Sequence, residues 1–521
     1  MSMLAVEPLL QLREEFRLSM RRLLLDLCRE LRVDYPVLAS QFALPVEFFQ
    51  ALGQSLTLET FSNWRVVGWI EGLNDLVYFL DLLRQWSREC RRQEFAEQLL
   101  LDCEEKFFEH GYKDELFPSG APDVIGLEQR LTALCEKLSQ ELIQESLLFD
   151  PALTVRWNRS RKHVRWETSG LLGVNFERAE ALYALSVGIA GDWCEPPAGV
   201  RRELKRFAGH ARFRIESIGI SVRVAGVVSM IWSGWGGRGQ WHWKLHPATV
   251  ALETLHGTVT VGSTLVYGKD RQPRAVVHTT AMLVKRITRA WRAIRIAWPE
   301  GHELLALFTS RVAPLRAKGV VSFSYRHRPG LSFINCFDRD NLDLIDDLIH
   351  ENSHHHLNLL LRKYVMYHGD HNQQIFYSPW RRSLRPLRGI LHASFTFTMG
   401  ALLFERLSTW ASGRGGSARW NEAGLTSRDL QRARFRCLEE VESVRYSLQD
   451  LHYADHHLGW LTGSGRRLVA QLADAIEHVE RSIAPRRNEV LRSRFGPALR
   501  RHGDELKKAR MTYGPMRLSK A

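Results

Sequence analysis

His350-Glu351-Asn352-Ser353-His354, set within DLIDDLIHENSHHHLNLLLRKY, carries the metal-binding pattern HExxH. An α-helix turns about 100° per residue, so side chains four apart share a face and two imidazoles there can grip one divalent ion. His350 and His354 form that pair. Glu351 stands about a quarter turn away, the place from which a carboxylate polarises a metal-bound water in zinc peptidases. The competing reading makes His350 and His354 partly exposed, hydrogen-bonded residues of a polar patch that His355 and His356 extend. The flanks favour the metal: Leu344, Ile345, Leu348, Ile349, Leu357, Leu360 and Leu361 repeat at helical spacing, which predicts a buried helix in which two imidazoles need a partner. His355 and His356 are read as bystanders.

Two histidines do not complete a site. Downstream stand His368, His371, His392, His452, His456 and His457. His392 is the preferred third ligand, because it opens the apolar stretch ILHASFTFTMGALLFERLSTWA, where an unpaired imidazole is costly unless bonded or ligated. Glu405, later in that stretch, is the candidate for the glutamate ligand of a thermolysin-like zinc site. Asp346 lies four residues before His350; it either serves the metal, as ligand or as support for an imidazole, or simply stabilises a helix N-terminus. His242 and His246 also stand four apart, but Pro247 and the alternating tryptophans predict a strand, where they would lie about 13 Å apart. The segment GWGGRG (234–239) reads as a hairpin turn, since no helix start follows it as a phosphate loop requires.

The elements that must position these residues follow from periodicity. Residues 1–150 read as successive amphipathic helices, a scaffold or binding domain. Residues 151–340 turn strand-rich in FRIESIGISVRVAGVVSMIW, ETLHGTVTVGSTLVYG and AKGVVSFSYRHRPGLSFINCF, interrupted by one helix, VHTTAMLVKRITRAWRAIRIA. Residues 341–484 return to helix, with the motif helix, a loop around FYSPWRRSLRPLRG, the apolar helix, a glycine-rich link SGRGGSARWNEAG and a longer helical section; 485–521 form a basic tail. The expected class is α+β and predominantly helical, with a helical N-terminal region, a strand-rich middle and a helical C-terminal half carrying the metal site.

With 521 residues and 45% apolar content, the chain can bury a sizeable core. Its net charge is +14, and from Pro485 onward eleven lysines and arginines face three acids. That tail is read as a solvated basic helix or frayed end; no aromatic-interleaved pattern accompanies it, so a nucleic-acid partner is not expected. Seven scattered cysteines without a CxxC pair indicate neither a disulfide framework nor a cysteine zinc site. The absence of a signal-like or spanning apolar run predicts a cytoplasmic protein with no membrane partner.

HENSHHHLNLLL followed by SPWRRSLRPLRGILHASFTF, with Trp380-Arg381, Arg385-Pro386 and Gly389 to His392 in order, resembles the HEXXH-motif peptide-modification family found beside genes for ribosomally made, post-translationally modified peptides. The resemblance covers about residues 340–410. It implies a non-haem Fe(II), 2-oxoglutarate-dependent enzyme that hydroxylates side chains of a precursor peptide, with His350, His354 and His392 holding iron. One carboxylate of 2-oxoglutarate then needs a fixed cation, and the planar fork of an arginine suits it. Arg385 is the first choice and Arg381 the second; without the resemblance, Arg381, Arg382, Arg385 and Arg388 read equally as a solvated loop. Glu351 becomes a support of the centre or a fourth ligand. The pattern departs from the usual iron site of two histidines and one carboxylate, and three imidazoles suit Zn2+ as well. The alternative is therefore a cytoplasmic zinc metallopeptidase with Glu351 as general base; a third reading is a peptide-binding protein with a structural metal.

Overall fold

The computed structural model describes residues 4–88, 91–107, 110–146, 250–262, 281–412 and 423–514, single positions at 149, 153 and 420, and otherwise, between 171 and 275, the backbone of strands alone. The chain divides into two compact units, one of Glu15–Thr249 with Gly262–His278 and one of Met1–Glu14, Val250–Val261 and Thr279–Ala521.

In the first unit the predicted helical run forms most of α1 (Val6–Val33), then α2 (Pro36–Gln41), α3 (Val46–Ser55), α4 (Trp64–Trp86), α5 (Arg92–Glu105), α6 (Tyr112–Leu116) and α7 (Leu127–Ser146). Their apolar faces meet in one core that includes Leu24, Phe48, Phe49, Phe61, Trp69, Phe79, Tyr112 and Leu131, all fully buried or nearly so. Each such side chain contributes about 1.5–3 kcal/mol by leaving water. Local chemistry fixes the ends: the Asn63 side chain accepts from the backbone N–H of Arg65 at 2.9 Å and starts α4. Trp69, whose indole N–H cannot stay unpaired inside, donates to the carbonyl of Leu142 at 2.8 Å and ties α4 to α7.

The strand-rich stretch of this unit supplies β1 (Leu171–Phe176), β2 (Cys194–Glu195), β3 (Gly209–Glu216), β4 (Gly219–Val224), β5 (Val227–Ser233) and β6 (Lys244–Leu245). β1, β3, β4 and β5 make an antiparallel sheet in the order β1-β3-β4-β5, and β2 pairs with β6. The GWGGRG turn, His242 and His246 lie outside the described residues.

The second unit builds around a mixed sheet. β7 (Val250–Thr254) and β8 (Gly257–Val261) form a hairpin; β9 (Leu265–Tyr267) and β10 (Pro273–Ala275) pair separately in the first unit. After α8 (Ala281–Ala297) and α9 (Pro299–Ala306) come β11 (Arg311–Leu315), β12 (Phe323–Ser324) and β13 (Leu331–Asn335), giving the order β12-β13-β11-β8-β7. β11 runs parallel to both β8 and β13, and β11 and β13 are buried at every position, as parallel strands covered on both faces should be. Pro314 has no N–H to donate, and the β8 ladder reaches only Arg311 and Val312 of β11, so it falls beyond that ladder's end. Gly330, at φ 94°, turns the chain into β13; a Cβ there would meet the Phe308 carbonyl oxygen at 2.9 Å.

The motif helix α10 (Asn341–Lys363) follows β13 directly and packs on that strand, on α8 and on α11 (Leu387–Ser412). α11 is the one helix among the described residues long and apolar enough to cross a bilayer, yet 67% of that apolar stretch is buried against α10, α12 (Ser427–His456) and α13 (Gly463–Ile483), as a core helix requires. The glycine-rich link before α12 lies largely outside the described residues. α14 (Arg487–Arg492) and α15 (Gly496–Tyr513) end the described chain. The fold is α+β and predominantly helical.

Two expectations change. The arginine-rich stretch read as a loop is a hairpin of β14 (Phe376–Ser378) and β15 (Ser383–Arg385), too short for periodicity to reveal. The basic tail is helical but not merely solvated: Leu499, Leu506 and Ala509 are buried, Arg487 meets Glu442 at 2.6 Å, and Arg510 bonds Asp450 and the Tyr446 carbonyl on α12. Acids on α12, the buried Asp450 and the half-buried Glu442, recruit cations that composition alone assigns to solvent.

Candidate metal centre

α10 begins with a capping box, Asp340 accepting from the N–H of Asp343 at 3.0 Å while the Asp343 carboxylate accepts from the N–H of Asp340 at 3.1 Å. Arg432 clamps Asp340 at 2.6 Å from α12. From that fixed start, Leu344, Ile345, Leu348, Ile349, Leu357 and Leu360 are all fully buried, so the rotation of the helix, and with it the direction of every polar residue, is set by packing.

His350, Glu351 and His354 each present a ligand atom, and the three atoms lie within 4.8 Å of one another. The two imidazole rings are 4.9 Å apart and nearly perpendicular. His392, on α11, brings its ring to 6.2 Å from that of His354. The structure thus gathers His350, Glu351 and His354, while the ring of His392 stands beside His354 but outside that group of ligand atoms. Burial lowers the pKa of His350, and lowers that of His354 well below the ordinary range, with His350, His392 and His355 adding to the latter effect. Neutral imidazoles keep a lone pair to offer. Among the described residues neither His350 nor His354 makes a hydrogen bond, and both are half-buried, so their ring nitrogens are open to water or to a ligand.

Glu351 is buried, which pushes its carboxyl up to about 7; the Ser324 hydroxyl, donating at 2.9 Å from β12, and the positive charge of Arg381 oppose that shift. Asp347, four residues earlier, accepts from Ser322 at 2.8 Å and is pushed to about 6, again chiefly by burial. Asp346 is engaged elsewhere than in the ligand group: its carboxylate accepts from Arg436 at 2.9 Å, and its charge favours protonated His350.

The β14–β15 hairpin places the arginines. Its turn carries Pro379, Trp380, Arg381 and Arg382, closed by the N–H of Arg382 on the Ser378 carbonyl at 2.8 Å. The guanidinium of Arg381 is felt electrostatically at both His350 and Glu351, and among the described residues it has no anionic partner. Arg382 instead pairs with Glu505 at 3.2 Å. Arg385, at the end of β15, is exposed and lies along Gly389.

Other candidates fall away from the cluster. Glu405 is buried but accepts from Ser482 at 2.6 Å and Thr409 at 2.9 Å, about 20 Å along α11 from His392 at 1.5 Å per residue. His452 and His456 stack on each other on α12, and His371 packs on Tyr367. His355 and His356 take no part in the cluster: His355 is bonded to Ser332 at 2.9 Å, and His356 packs edge-on against Phe395 at 4.9 Å.

Sequence reasoning missed Ser324, Phe397, Arg436 and Glu440. The spacing of Arg436 and Glu440 was visible as an i,i+4 pair, but the same pattern decorates exposed helices and says nothing of burial. No family model matches the chain, and no curated protein matches it.

Two neutral imidazoles, a third nearby and a buried carboxylate fit a divalent transition metal such as Fe(II) or Zn2+ better than Ca2+ or Mg2+, which favour all-oxygen ligand sets.

Proposed function

We propose that the chain is a non-haem iron, 2-oxoglutarate-dependent oxygenase that hydroxylates side chains of a ribosomally made precursor peptide. One observation supports it most: two imidazoles without hydrogen-bond partners, a third ring 6.2 Å from one of them, and an arginine without a protein anion whose charge reaches the same cluster. The peptide class rests on the resemblance of residues 340–410 alone. His350 and His354 hold the metal, and His392 completes the set. Arg381 is the first candidate to receive a carboxylate of 2-oxoglutarate, because its charge reaches His350 and Glu351, with Arg385 second; both are exposed. Iron with 2-oxoglutarate and O2 supplies C–H hydroxylation, one oxygen atom entering the substrate while 2-oxoglutarate becomes succinate and CO2. The chain's part is to keep the imidazoles neutral by burial and to hold Glu351 through Ser324, within reach of the metal ligands but restrained by its own hydrogen bond.

A zinc metallopeptidase is the second reading, favoured by the carboxylate of Glu351 standing within 4.8 Å of both imidazole donors, as a general base must stand near a metal-bound water. The two separate in one assay. Reconstituted anaerobically with Fe(II), then given O2, 2-oxoglutarate and peptide, the protein should form succinate in step with a mass gain of one oxygen on the peptide, and Arg381→Ala should raise the KM for 2-oxoglutarate about tenfold or more. Succinate at background, with zinc-restored peptide cleavage that Glu351→Gln abolishes, establishes the peptidase instead.

A further inference from the structure

Arg381 sits on a turn, and a turn does not by itself hold a side chain to the roughly 0.5 Å that a binding constellation needs. Its neighbour Trp380 is held on two sides. The indole stacks on Phe397 at 4.3 Å with planes 5° apart, and Phe397 lies against His350 at 4.8 Å. The indole N–H donates to one oxygen of Glu440 at 2.8 Å. The other oxygen of Glu440 accepts from Arg436 at 3.0 Å, and the same guanidinium nitrogen donates to Asp346 at 2.9 Å, one turn before His350. An apolar route and a polar route therefore both leave Trp380 and both arrive at the His350 turn of α10. Glu440 is 2% exposed, so water does little to loosen the polar route.

We propose that Trp380 is a positioning residue: clamped between Phe397 and Glu440, it fixes Arg381 relative to His350, so that a carboxylate ligand and a metal ion meet in one geometry. This rests on the reading of Arg381 as the cation that receives 2-oxoglutarate. A tryptophan that merely fills the core would make the same contacts, but its loss would act on stability and not through Arg381.

The test uses the full chain loaded with Co(II) under anaerobic conditions, with Co(II) affinity and 2-oxoglutarate affinity both read from the Co(II) absorption bands. Arg381→Ala should weaken 2-oxoglutarate binding about 30-fold and Trp380→Ala about tenfold, while Co(II) affinity stays within about threefold of wild type. The decisive outcome is the double variant, which should bind no more weakly than Arg381→Ala alone, because a positioning residue has nothing left to position. Additive losses, or a Trp380→Ala protein that binds 2-oxoglutarate like wild type, overturn the proposal. Should Trp380→Ala not fold, Trp380→Phe keeps the stack and loses only the N–H; with Arg381→Ala it runs the same cycle, and wild-type binding by that variant counts against the proposal. If the wild-type protein binds no 2-oxoglutarate, the oxygenase reading fails separately. The positioning role is then read from the Co(II) bands alone, which Arg381→Ala and Trp380→Ala must shift alike; an unshifted Trp380→Ala spectrum overturns it.

Discussion

On one side of α10, Asn352 and His355 enter a buried polar cluster bonded within the protein except at Nδ1 of His355, which is buried without a hydrogen-bond partner. Asn352 accepts from Thr309 at 3.0 Å and Ser332 at 2.8 Å and donates to the Leu348 carbonyl at 2.8 Å. Ser332, having given its one proton to Asn352, accepts from Nε2–H of His355 at 2.9 Å. On the neighbouring side, His350 and His354 face each other and His392 with no hydrogen bond to either of the first two among the described residues. The same helix thus carries one polar cluster that stabilises the fold and one left available for a ligand.

The comparison breaks most visibly at His354. His354→Ala should abolish stoichiometric Co(II) or Zn2+ binding in a calorimetric titration, a loss larger than the 10–100-fold typical of removing a mere supporting hydrogen bond. Its thermal unfolding without metal should stay near wild type. Asn352→Ala should do the reverse: it strands the Thr309 and Ser332 hydroxyls and opens a void, so denaturant unfolding should show a loss of about 2–4 kcal/mol with metal affinity kept. Equal effects of the two substitutions on metal binding would erase the distinction.

A smaller effect appears with pH. His355, fully buried, has its pKa lowered to about 3, whereas an unfolded histidine titrates near 6.5. Between those values the unfolded chain binds the proton and the folded one does not. The contribution of His355 is therefore complete above about pH 6.5 and is lost as pH falls toward 3, at up to about 1.4 kcal/mol per pH unit. Unfolding curves of wild type and His355→Gln should converge on acidification across that window; parallel curves would place His355 outside the satisfied cluster. Smallest of all, Asp346→Asn should weaken metal binding less than tenfold, because Asp346 supports His350 through its charge and is held by Arg436.

Much of the centre was legible. HExxH on an apolar-flanked run placed His350, Glu351 and His354 on one helix, and the apolar helix beginning near His392 carries a third ring 6.2 Å from that of His354. The hairpin was not legible, because three-residue strands carry no usable periodicity and its pairing is closed by Ser378 and Ser383, residues common in any loop. For the same reason the sequence put Arg385 before Arg381, since residue type does not say which of the two lies nearer the histidines; the charge of Arg381 is felt at His350 and Glu351, which favours the opposite order. The tail misled because its charge was counted without Asp450 and Glu442, the acids of α12 that bind it.

The sequence by itself determined which residues share a helical face, since a fixed rotation per residue makes spacing equivalent to direction. It could not determine which polar residues find partners. Asn352 and His355 close on Thr309 and Ser332 from a neighbouring loop and strand, while Trp380 stacks on Phe397 and bonds Glu440. Those partners lie well apart in the chain, and only the packing of α10 on β13 and α11, and of α11 on α12, brings them within the 3–5 Å over which hydrogen bonds and ring contacts act.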